Sequence, residues 1–329
     1  MSEGPTTPDD LGLQLERASA GDRGALARLI SVLERGGSAS TSLDRRLRVR
    51  PGSSYTVGIT GAPGAGKSTL VSTLLGEILE EPGQQVALLA VDPSSPLSRG
   101  ALLGDRVRMQ AHTASPEVFI RSMASRGHLG GLAMATRSAR RLLEHCGWPL
   151  TLIETVGVGQ VELDVASATD TVIVVLNPGW GDEVQANKAG LMEVADIFVI
   201  NKADKAGLEA TRRDLEGALA SLPPERRPQV LETIATEGKG AGALWQAIKD
   251  HRAAITASGE LGRRRLAQVR SELRGMVDAV LADRVQRLFA AEEVDGRILA
   301  ISEGRLDMAE AGEQMLALLY DQVNHSTTT

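Results

Sequence analysis

A glycine-rich segment of this chain has the residue types and spacing needed to bind a chain of phosphates. Residues 61–69 read Gly-Ala-Pro-Gly-Ala-Gly-Lys-Ser-Thr. The glycines let successive backbone N–H groups turn toward one anion, and the start of a helix adds partial positive charge. Lys67 can reach the β- and γ-phosphates of a nucleotide, and the Ser68 hydroxyl can bind Mg²⁺. The predicted nucleotide contacts are Gly61, Ala62, Pro63, Gly64, Ala65, Gly66, Lys67, Ser68 and Thr69.

The residues around this segment supply the strand–loop–helix setting that a phosphate-binding loop requires. Residues 55–60 are predicted to form a buried strand, and residues 70–75 begin an amphipathic helix. A plain glycine-rich turn before a helix is the alternative, but Lys-Ser at this offset is rare by chance. The pattern favours a nucleoside triphosphatase.

A second motif, Asn201-Lys202-Ala203-Asp204, follows a predicted strand and matches the N-K-x-D pattern of guanine recognition. The Asp204 carboxylate can accept from both N1–H and the exocyclic amine of guanine, whereas adenine presents an acceptor at N1. Polar discrimination of this kind can reach about 10⁴-fold or more. The Asp204 pairing therefore predicts GTP rather than ATP. Lys202 is expected to cover the base and Asn201 to brace the loop. A further backbone contact to the base is expected at the end of the next strand, from Ala235 and Thr236.

Acidic residues near two strand ends could complete a magnesium site and a switch. Asp92 closes one predicted strand, and Asp105 lies in the segment after it. Either could hold Mg²⁺, directly or through water, or could instead cap a helix. Glu154 and Gly157 belong to Glu-Thr-Val-Gly, at the position of the D-x-x-G switch of regulatory GTPases. The predicted metal ligands are Ser68, Asp92, Asp105 and Glu154.

The two ends of that switch motif have different expected roles. Gly157 can offer a backbone N–H to the γ-phosphate and move when that phosphate leaves. Glu154 could bind Mg²⁺ through water or orient the attacking water, and its residue type leaves both roles open.

The segment 177–188 combines glycines, an acidic pair and Trp180 after another predicted strand. It is expected to be either a loop that senses the nucleotide or contacts a partner, or an ordinary strand–helix connection. Lys188 could supply a positive charge to the transition state, as an arginine finger does, although no neighbouring residue supports that role. The candidate catalytic residues are Lys67, Asp92, Glu154 and Lys188.

Composition and charge argue against several classes of protein. The net charge of −6 and the aromatic content of 2% argue against a nucleic-acid partner. The single cysteine, Cys146, cannot form an internal disulfide, which favours a reducing compartment. We expect it to be a small apolar residue near a helix end. No apolar run is long enough to span a membrane, and the polar N-terminus lacks a secretory or transit pattern. A soluble cytoplasmic protein is expected.

The alternation of apolar strands with helical segments predicts an α/β fold, a GTPase domain with a mostly parallel central sheet flanked by helices. Helices are expected within residues 11–33, broken near Gly21, and within 263–289 and 308–323. Residues up to number 10 are expected to be disordered, and residues 36–38 to end the first helical unit. The strands are predicted within residues 57–60, 86–91, 118–121, 150–154, 171–176, 197–201 and 230–234.

The expected domains are an N-terminal helical extension over residues 1–52, the GTPase domain over 53–255 and a C-terminal helical dimerisation extension over 256–329. The C-terminal part is too small for a core of its own, so it should pack on the main domain or on a second subunit. The arginines within residues 45–50 are expected to form a solvated face, with partner docking as the alternative.

Taken together, these motifs resemble the MeaB/ArgK/MMAA family of P-loop GTPases. The most specific part is Arg-Ser-Met-Ala-Ser-Arg-Gly-His-Leu-Gly-Gly, which begins at Arg121. That block lies within a match over residues 119–132, and the remaining matches lie in residues 61–69, 91–96, 104–109, 154–160 and 201–204. The resemblance implies a homodimer that binds GTP, GDP and Mg²⁺ and serves as a chaperone for adenosylcobalamin-dependent methylmalonyl-CoA mutase. It also implies that the protein gates cofactor loading, protects the mutase during turnover and promotes removal of damaged cofactor.

Two other functions compete with this interpretation. A metal-insertion GTPase for nickel enzymes shares the fold class, but the five scattered histidines lack ligand spacing and no Cys-containing relay is present. A small-molecule kinase associated with amino-acid transport is the second. The Asn-Lys-Ala-Asp motif argues against it, since kinases usually use ATP.

Overall fold

A parallel β-sheet forms the centre of the first part of the chain. A computed structural model describes residues 7–47, 54–92, 112, 115–124, 131–155, 168–179, 192–290 and 292–325. The strands are β1 (Tyr55–Gly61), β2 (Val86–Asp92), β3 (Val118–Ala124), β4 (Leu150–Thr155), β5 (Thr171–Leu176), β6 (Ile197–Asn201) and β7 (Gln229–Thr233). Their order across the sheet is β3-β2-β4-β1-β5-β6-β7, and each neighbouring pair is parallel. The predicted α/β fold and all seven predicted strands are confirmed.

The helices that precede the sheet are α1 (Pro8–Ser19), α2 (Arg23–Arg35) and α3 (Gly37–Arg46). The predicted break near Gly21 is confirmed, because Asp22 caps α2 by accepting the Ala25 N–H at 2.9 Å. The expectation of disorder up to residue 10 was wrong for residues 8–10, since the Thr7 side chain caps α1.

The expectation that residues 36–38 end the N-terminal helical unit was also wrong. Gly36 turns the chain at a φ of +69°, a conformation that favours glycine, and α3 then begins at once. Leu43 of this helix is fully buried, so the helix is held by packing that a glycine-rich boundary does not reveal.

Both faces of the sheet are covered by helices, as a parallel sheet requires. Helices α4 (Lys67–Glu80) and α7 (Ala241–Ala257) pack on one face. The other face packs against α1–α3 and α5 (Gly131–His145) beside β2 and β3, and against α6 (Leu208–Leu219) beside β5 and β6. Strands β1, β4, β5 and β6 are buried at every residue. The sheet is therefore a rigid platform whose carboxyl ends present the loops.

Two further expectations concern side chains near the face of the sheet that packs against α1–α3 and α5. Cys146, just after α5, packs against the apolar core on that face, and burial raises the pKa of its thiol to about 11. The thiol is therefore neutral at physiological pH. Arg45 and Arg46 are exposed, which fits a solvated face and a docking surface equally. Arg48 and Arg50 lie outside the described residues.

The chain divides into two compact units, residues 1–268 and residues 269–329. Helix α8 (Glu260–Phe289) begins in the first unit, and its range confirms the helix predicted within 263–289. The second unit also contains α9 (Glu292–Ser302) and α10 (Met308–His325), which contact each other. No helix of the described chain is both long enough and apolar enough to cross a membrane.

A charged network at the amino edge of the sheet holds the first turns of α8. Arg265 pairs with the buried Asp170 at 3.0 Å, and that carboxylate also accepts the backbone N–H of Thr56 at 2.9 Å. Arg264 donates two hydrogen bonds of 2.8 Å to Asp196, immediately before β6. The first two turns of α8 are thus anchored to the strands on the side opposite the predicted nucleotide loops.

Candidate nucleotide-binding site

The predicted loops meet along the carboxyl edge of the sheet. Strand β1 lies between β4 and β5, with β2 and β3 on one side and β6 and β7 on the other. From β1, the chain therefore adds β2, β3 and β4 on one side and β5, β6 and β7 on the other. In open α/β sheets, ligands bind where the connections change sides in this way, outside the carboxyl ends of the strands. The glycine-rich segment leaves β1 at this point and the Asn-Lys-Ala-Asp motif leaves β6.

The glycine-rich segment forms a tight loop between β1 and α4. At Gly61 the φ angle is +135°, and a Cβ atom would lie 2.0 Å from the carbonyl oxygen of Val175. At Gly66 the φ angle is +90°, and a Cβ atom would lie 2.4 Å from Asn201 Nδ2. Any other residue at these two positions would disrupt the loop. Pro63 and Gly64 are exposed at its tip, whereas Ala62 and Ala65 are buried.

Lys67 is the first residue of α4 and is buried, with 7% of its surface exposed. Its Nζ donates to the carbonyl oxygens of Gly61 at 2.6 Å and Ala62 at 3.0 Å. The ammonium group therefore lies over its own loop, at the amino end of a helix. Both features make the loop favourable for an anion such as a phosphate.

Ser68 and Glu154 are brought together by the fold. The Ser68 hydroxyl donates to Glu154 Oε1 at 2.6 Å, and Glu154 is almost fully buried near the end of β4. The next residue, Thr155, donates from its hydroxyl to Thr60 Oγ1 at 3.0 Å and so ties β4 to β1. A hydroxyl and a carboxylate are hard oxygen donors, the type that Mg²⁺ prefers. The residues present therefore fit a magnesium site beside the phosphate loop.

Asn201 joins the loop that carries the Asn-Lys-Ala-Asp motif to the glycine-rich loop. Its Nδ2 donates to the Ala65 carbonyl at 2.8 Å. Its Oδ1 accepts from Thr233 Oγ1 at 3.0 Å and from the Ala235 N–H at 3.1 Å. One buried side chain thus holds three segments of chain in register.

The other motif residues lie on the outer side of the same loop. Lys202 adopts a φ of +60°, and its Nζ donates to the Gly64 carbonyl at 2.8 Å. The Asp204 side chain is 38% exposed and lies 3.3 Å from Lys205 Nζ. Asp204 is therefore accessible to a ligand, while Lys202 bridges from its loop to the tip of the phosphate loop.

The segment after β7 forms a short 3₁₀ helix, Ala235–Glu237. Ala235 is buried and its N–H points to Asn201, whereas Thr236 is exposed. The Ala235 carbonyl accepts a 2.9 Å hydrogen bond from Thr73 Oγ1 of α4. Sequence analysis identified neither Thr73 nor Thr233, because each acts through a partner that is distant in the chain.

Several predicted residues are not brought to the site by a described contact. Asp92 is the last residue of β2, next to Ala124 of β3 in the sheet register. Asp105, Gly157 and Lys188 lie outside the described residues, as do residues 180–191 of the loop after β5. Thr69 follows Ser68 in the first turn of α4, where its carbonyl accepts from Thr73 Oγ1 at 3.0 Å.

Comparison with known proteins identifies the family to which the chain belongs. The model of a family described as methylmalonyl-CoA mutase-associated GTPase MeaB matches residues 26–290. This chain belongs to that family. A Pyrococcus abyssi protein, named provisionally as a GTPase, is 46% identical over 308 residues, which is 92% of this chain and 94% of the relative. The GTPase ArgK of Escherichia coli is 38% identical over 295 residues, covering 87% of this chain and 88% of ArgK.

A solved structure agrees with this assignment over nearly the whole chain. The crystal structure of an LAO/AO transport system kinase superposes with a TM-score of 0.68 at 31% identity, and covers 96% of this chain and 99% of its own. The predicted membership in the MeaB/ArgK/MMAA family of P-loop GTPases is confirmed. As a MeaB-family protein, the chain is a GTPase that binds guanine nucleotide and hydrolyses GTP.

Proposed function

We propose that this MeaB-family GTPase is a Mg²⁺-dependent chaperone of adenosylcobalamin-dependent methylmalonyl-CoA mutase, which gates cofactor loading and protects the mutase. The observation that carries the proposal is the match of residues 26–290 to a family named for association with that mutase. The single cysteine is in keeping with a reducing compartment such as the cytoplasm.

In the proposed binding mode the triphosphate lies on residues 61–69 and the guanine lies against Asn201, Lys202 and Asp204. The hydrogen bonds of Asn201 to Ala65 and of Lys202 to Gly64 support this arrangement, because they join the phosphate end to the base end. The Asp204 carboxylate would accept from guanine N1–H and the exocyclic amine. The exposed turn at Thr236 would meet the outer edge of the base.

Ser68 would hold the magnesium ion, and Glu154, Asp92 and Asp105 are the further candidate ligands. A Mg²⁺ ion held there would supply positive charge to offset the negative charge that develops on the phosphates during transfer. The Ser68–Glu154 contact supports the first two assignments, since it places two oxygen donors at the mouth of the phosphate loop.

For hydrolysis, we assign Lys67 to the charge on the β- and γ-phosphates. Glu154 is our candidate for orienting the attacking water, because it is a carboxylate fixed beside Ser68 at the edge of the sheet. Asp92 would assist by helping to hold the magnesium ion. Lys188 would supply a second positive charge to the transition state.

The Ser68–Glu154 contact also supports a switch that responds to the bound nucleotide. Glu154 and Thr155 end β4 and are held by Ser68 and Thr60, respectively. The chain continues from there to Gly157. A change at the γ-phosphate would therefore act on the hydrogen bonds that hold the start of this segment, as in other nucleotide switches. The state of the nucleotide would then be readable by a partner.

The second unit supports a homodimer. Helix α8 exposes Val269, Leu273, Met276 and Val280, each with at least 37% of its surface accessible. Their spacing of four, three and four residues is that of a coiled-coil seam. We expect light scattering to give twice the monomer mass, and Leu273→Glu to give a monomer. Leu13→Glu, at an exposed leucine of α1, is the control and should stay dimeric. A wild-type monomer at micromolar concentration would contradict this role.

Co-elution with methylmalonyl-CoA mutase tests the proposal. The purified mutase and this protein are mixed with Mg²⁺ and either GDP or a nonhydrolysable GTP analogue, and the complexes are sized by light scattering. We expect the amount or composition of complex to depend on the nucleotide, and expect Lys67→Ala to lose that dependence. Absence of any complex, or the same complex in all conditions, would refute the proposal.

A further inference from the structure

Thr73 connects the phosphate-binding helix to the segment that would lie beside the base. It lies on α4, and its hydroxyl is 2.9 Å from the carbonyl oxygen of Ala235 and 3.0 Å from that of Thr69. A hydroxyl has one proton to donate. The Thr69 carbonyl is also the acceptor for the i+4 backbone N–H within the helix, so Ala235 is the acceptor that depends more on Thr73.

Ala235 is held at both of its backbone polar groups. Its N–H donates to Asn201 Oδ1 at 3.1 Å, and its carbonyl accepts from Thr73. The Gly238 N–H is a further donor to this oxygen, but at the longer distance of 3.4 Å. Ala235 is 6% exposed, so loss of the Thr73 hydroxyl would leave a buried carbonyl with one long hydrogen bond.

One rigid helix therefore reaches both ends of the proposed nucleotide site. Lys67 and Ser68 lie in the first turn of α4, and Thr73 lies five residues after Ser68. At about 1.5 Å per residue, this is roughly 7.5 Å along the helix axis. The 3₁₀ helix Ala235–Glu237 is thus positioned by the same element that positions the phosphate contacts.

We propose that Thr73 is a positioning residue for guanine recognition, which holds the Ala235–Glu237 turn at a set distance from the phosphate loop. The inference rests on the proposed placement of guanine at Asn201–Asp204. Thr73 does not touch the nucleotide. It keeps the backbone of the turn where it can contact the guanine edge, which carries an acceptor oxygen at a position where adenine carries an amine.

Thr73→Val removes the hydroxyl and keeps the shape of the side chain. Because one hydrogen bond is lost at a buried carbonyl, we expect the Kd for GDP to rise about 3- to 10-fold. The KM for GTP should rise by a similar factor, while kcat stays near the wild-type value because Lys67 and Ser68 are unchanged. ATP affinity should not fall, so the preference for GTP over ATP should decrease.

Thr73→Ser is the matched control, since it keeps the hydroxyl and should bind GDP with an affinity close to that of the wild type. Thr73→Ala, which removes the hydroxyl and suits a helix, gives the same test if valine does not fit. The proposal is overturned if both hydroxyl-free variants bind GDP like wild type. It is equally overturned if GTP and ATP affinities fall together with kcat and melting temperature, as a merely structural role predicts.

Asp204→Asn, measured in parallel, separates this inference from the site on which it rests. Loss of GDP affinity in Asp204→Asn but not in the Thr73 variants would overturn the role of Thr73 alone. Unchanged GDP affinity in Asp204→Asn would overturn the guanine placement itself.

Discussion

The hydroxyl of Ser68 donates a 2.6 Å hydrogen bond to Glu154, a residue 86 positions later in the chain. The contact joins the first turn of α4 to the end of β4 and so places a buried carboxylate beside the phosphate loop. In the proposed site, this contact would place two oxygen donors for a metal, one of them the carboxylate proposed to orient water, at a single point.

Glu154→Gln should lower kcat for GTP by about 100-fold or more, because the variant keeps the size of the side chain but loses its charge and basicity. GDP affinity should change little, since the phosphate and base loops remain. Steady-state hydrolysis and GDP titration measure the two effects. The control is Glu80→Gln, at the exposed last residue of α4. Wild-type turnover in Glu154→Gln would remove Glu154 from the reaction.

Lys67→Ala should abolish detectable hydrolysis, because the charge that would face the β- and γ-phosphates is lost. Phosphate release and GTP titration test this, with the melting temperature recorded since Lys67 also bonds the Gly61 and Ala62 carbonyls. Lys249→Ala removes a lysine that pairs with Glu81 away from the loop, and it should retain activity. If Lys67→Ala hydrolyses GTP normally, Lys67 is not at the phosphates.

Asp204→Asn should exchange guanine recognition for xanthine recognition. An amide can donate to the carbonyl that xanthine carries at C2, but it cannot accept both guanine N–H groups as a carboxylate does. GDP affinity should fall by roughly 100-fold or more, and XTP should become a substrate. Competition among GTP, XTP and ATP measures this. Hydrolysis of ATP as fast as GTP by the wild-type protein would contradict the guanine assignment and favour the kinase alternative.

Asp196 should make the fold sensitive to acid. Burial raises the pKa of its carboxyl, but hydrogen bonds from His251 and Arg264 outweigh burial and hold the pKa below its ordinary value. A carboxyl with a lowered folded-state pKa stabilises above its unfolded pKa of about 4, and this stabilisation is lost as the pH falls through the folded pKa. Asp196→Asn should therefore lower the free energy of unfolding by about 1–3 kcal/mol at neutral pH.

Denaturant unfolding between neutral pH and pH 3 tests this expectation. The difference between wild type and Asp196→Asn should shrink as the pH falls. Asp278→Asn alters an exposed pair with Arg274 and should change stability by less than about 1 kcal/mol. A constant difference for Asp196→Asn across the pH range would show that the charge of Asp196 does not stabilise the fold.

The sheet and the two nucleotide motifs could be predicted from sequence because their signals are local. Residues such as Val86–Val91 are a continuous apolar run, and residues 61–69 carry their chemistry within nine positions. Helix α3 was missed because Gly36 and Gly37 indicate a turn but give no sign of a helix directly after it, and Leu43 is held by tertiary packing.

Contacts between distant residues could not be predicted. Arg265 and Asp170 are 95 positions apart, and Thr73 and Ala235 are 162 apart. Neither pair has a periodicity or motif that connects its members. Both depend on the order in which parallel strands assemble, which places the start of β5 near α8 and the end of β7 near α4. Ser68 and Glu154 were each predicted as metal ligands, but their direct contact is likewise a consequence of β1 and β4 being neighbours.

The most direct test of the central claim is the rate of GTP hydrolysis with and without methylmalonyl-CoA mutase. Turnover is measured with Mg²⁺, with GTP or ATP, and with wild-type protein or Lys67→Ala. We expect the mutase to raise the GTP rate of the wild-type protein, to leave ATP turnover unchanged, and to have no effect on Lys67→Ala. The same GTP rate with and without a saturating amount of mutase would contradict a GTPase that acts on this enzyme.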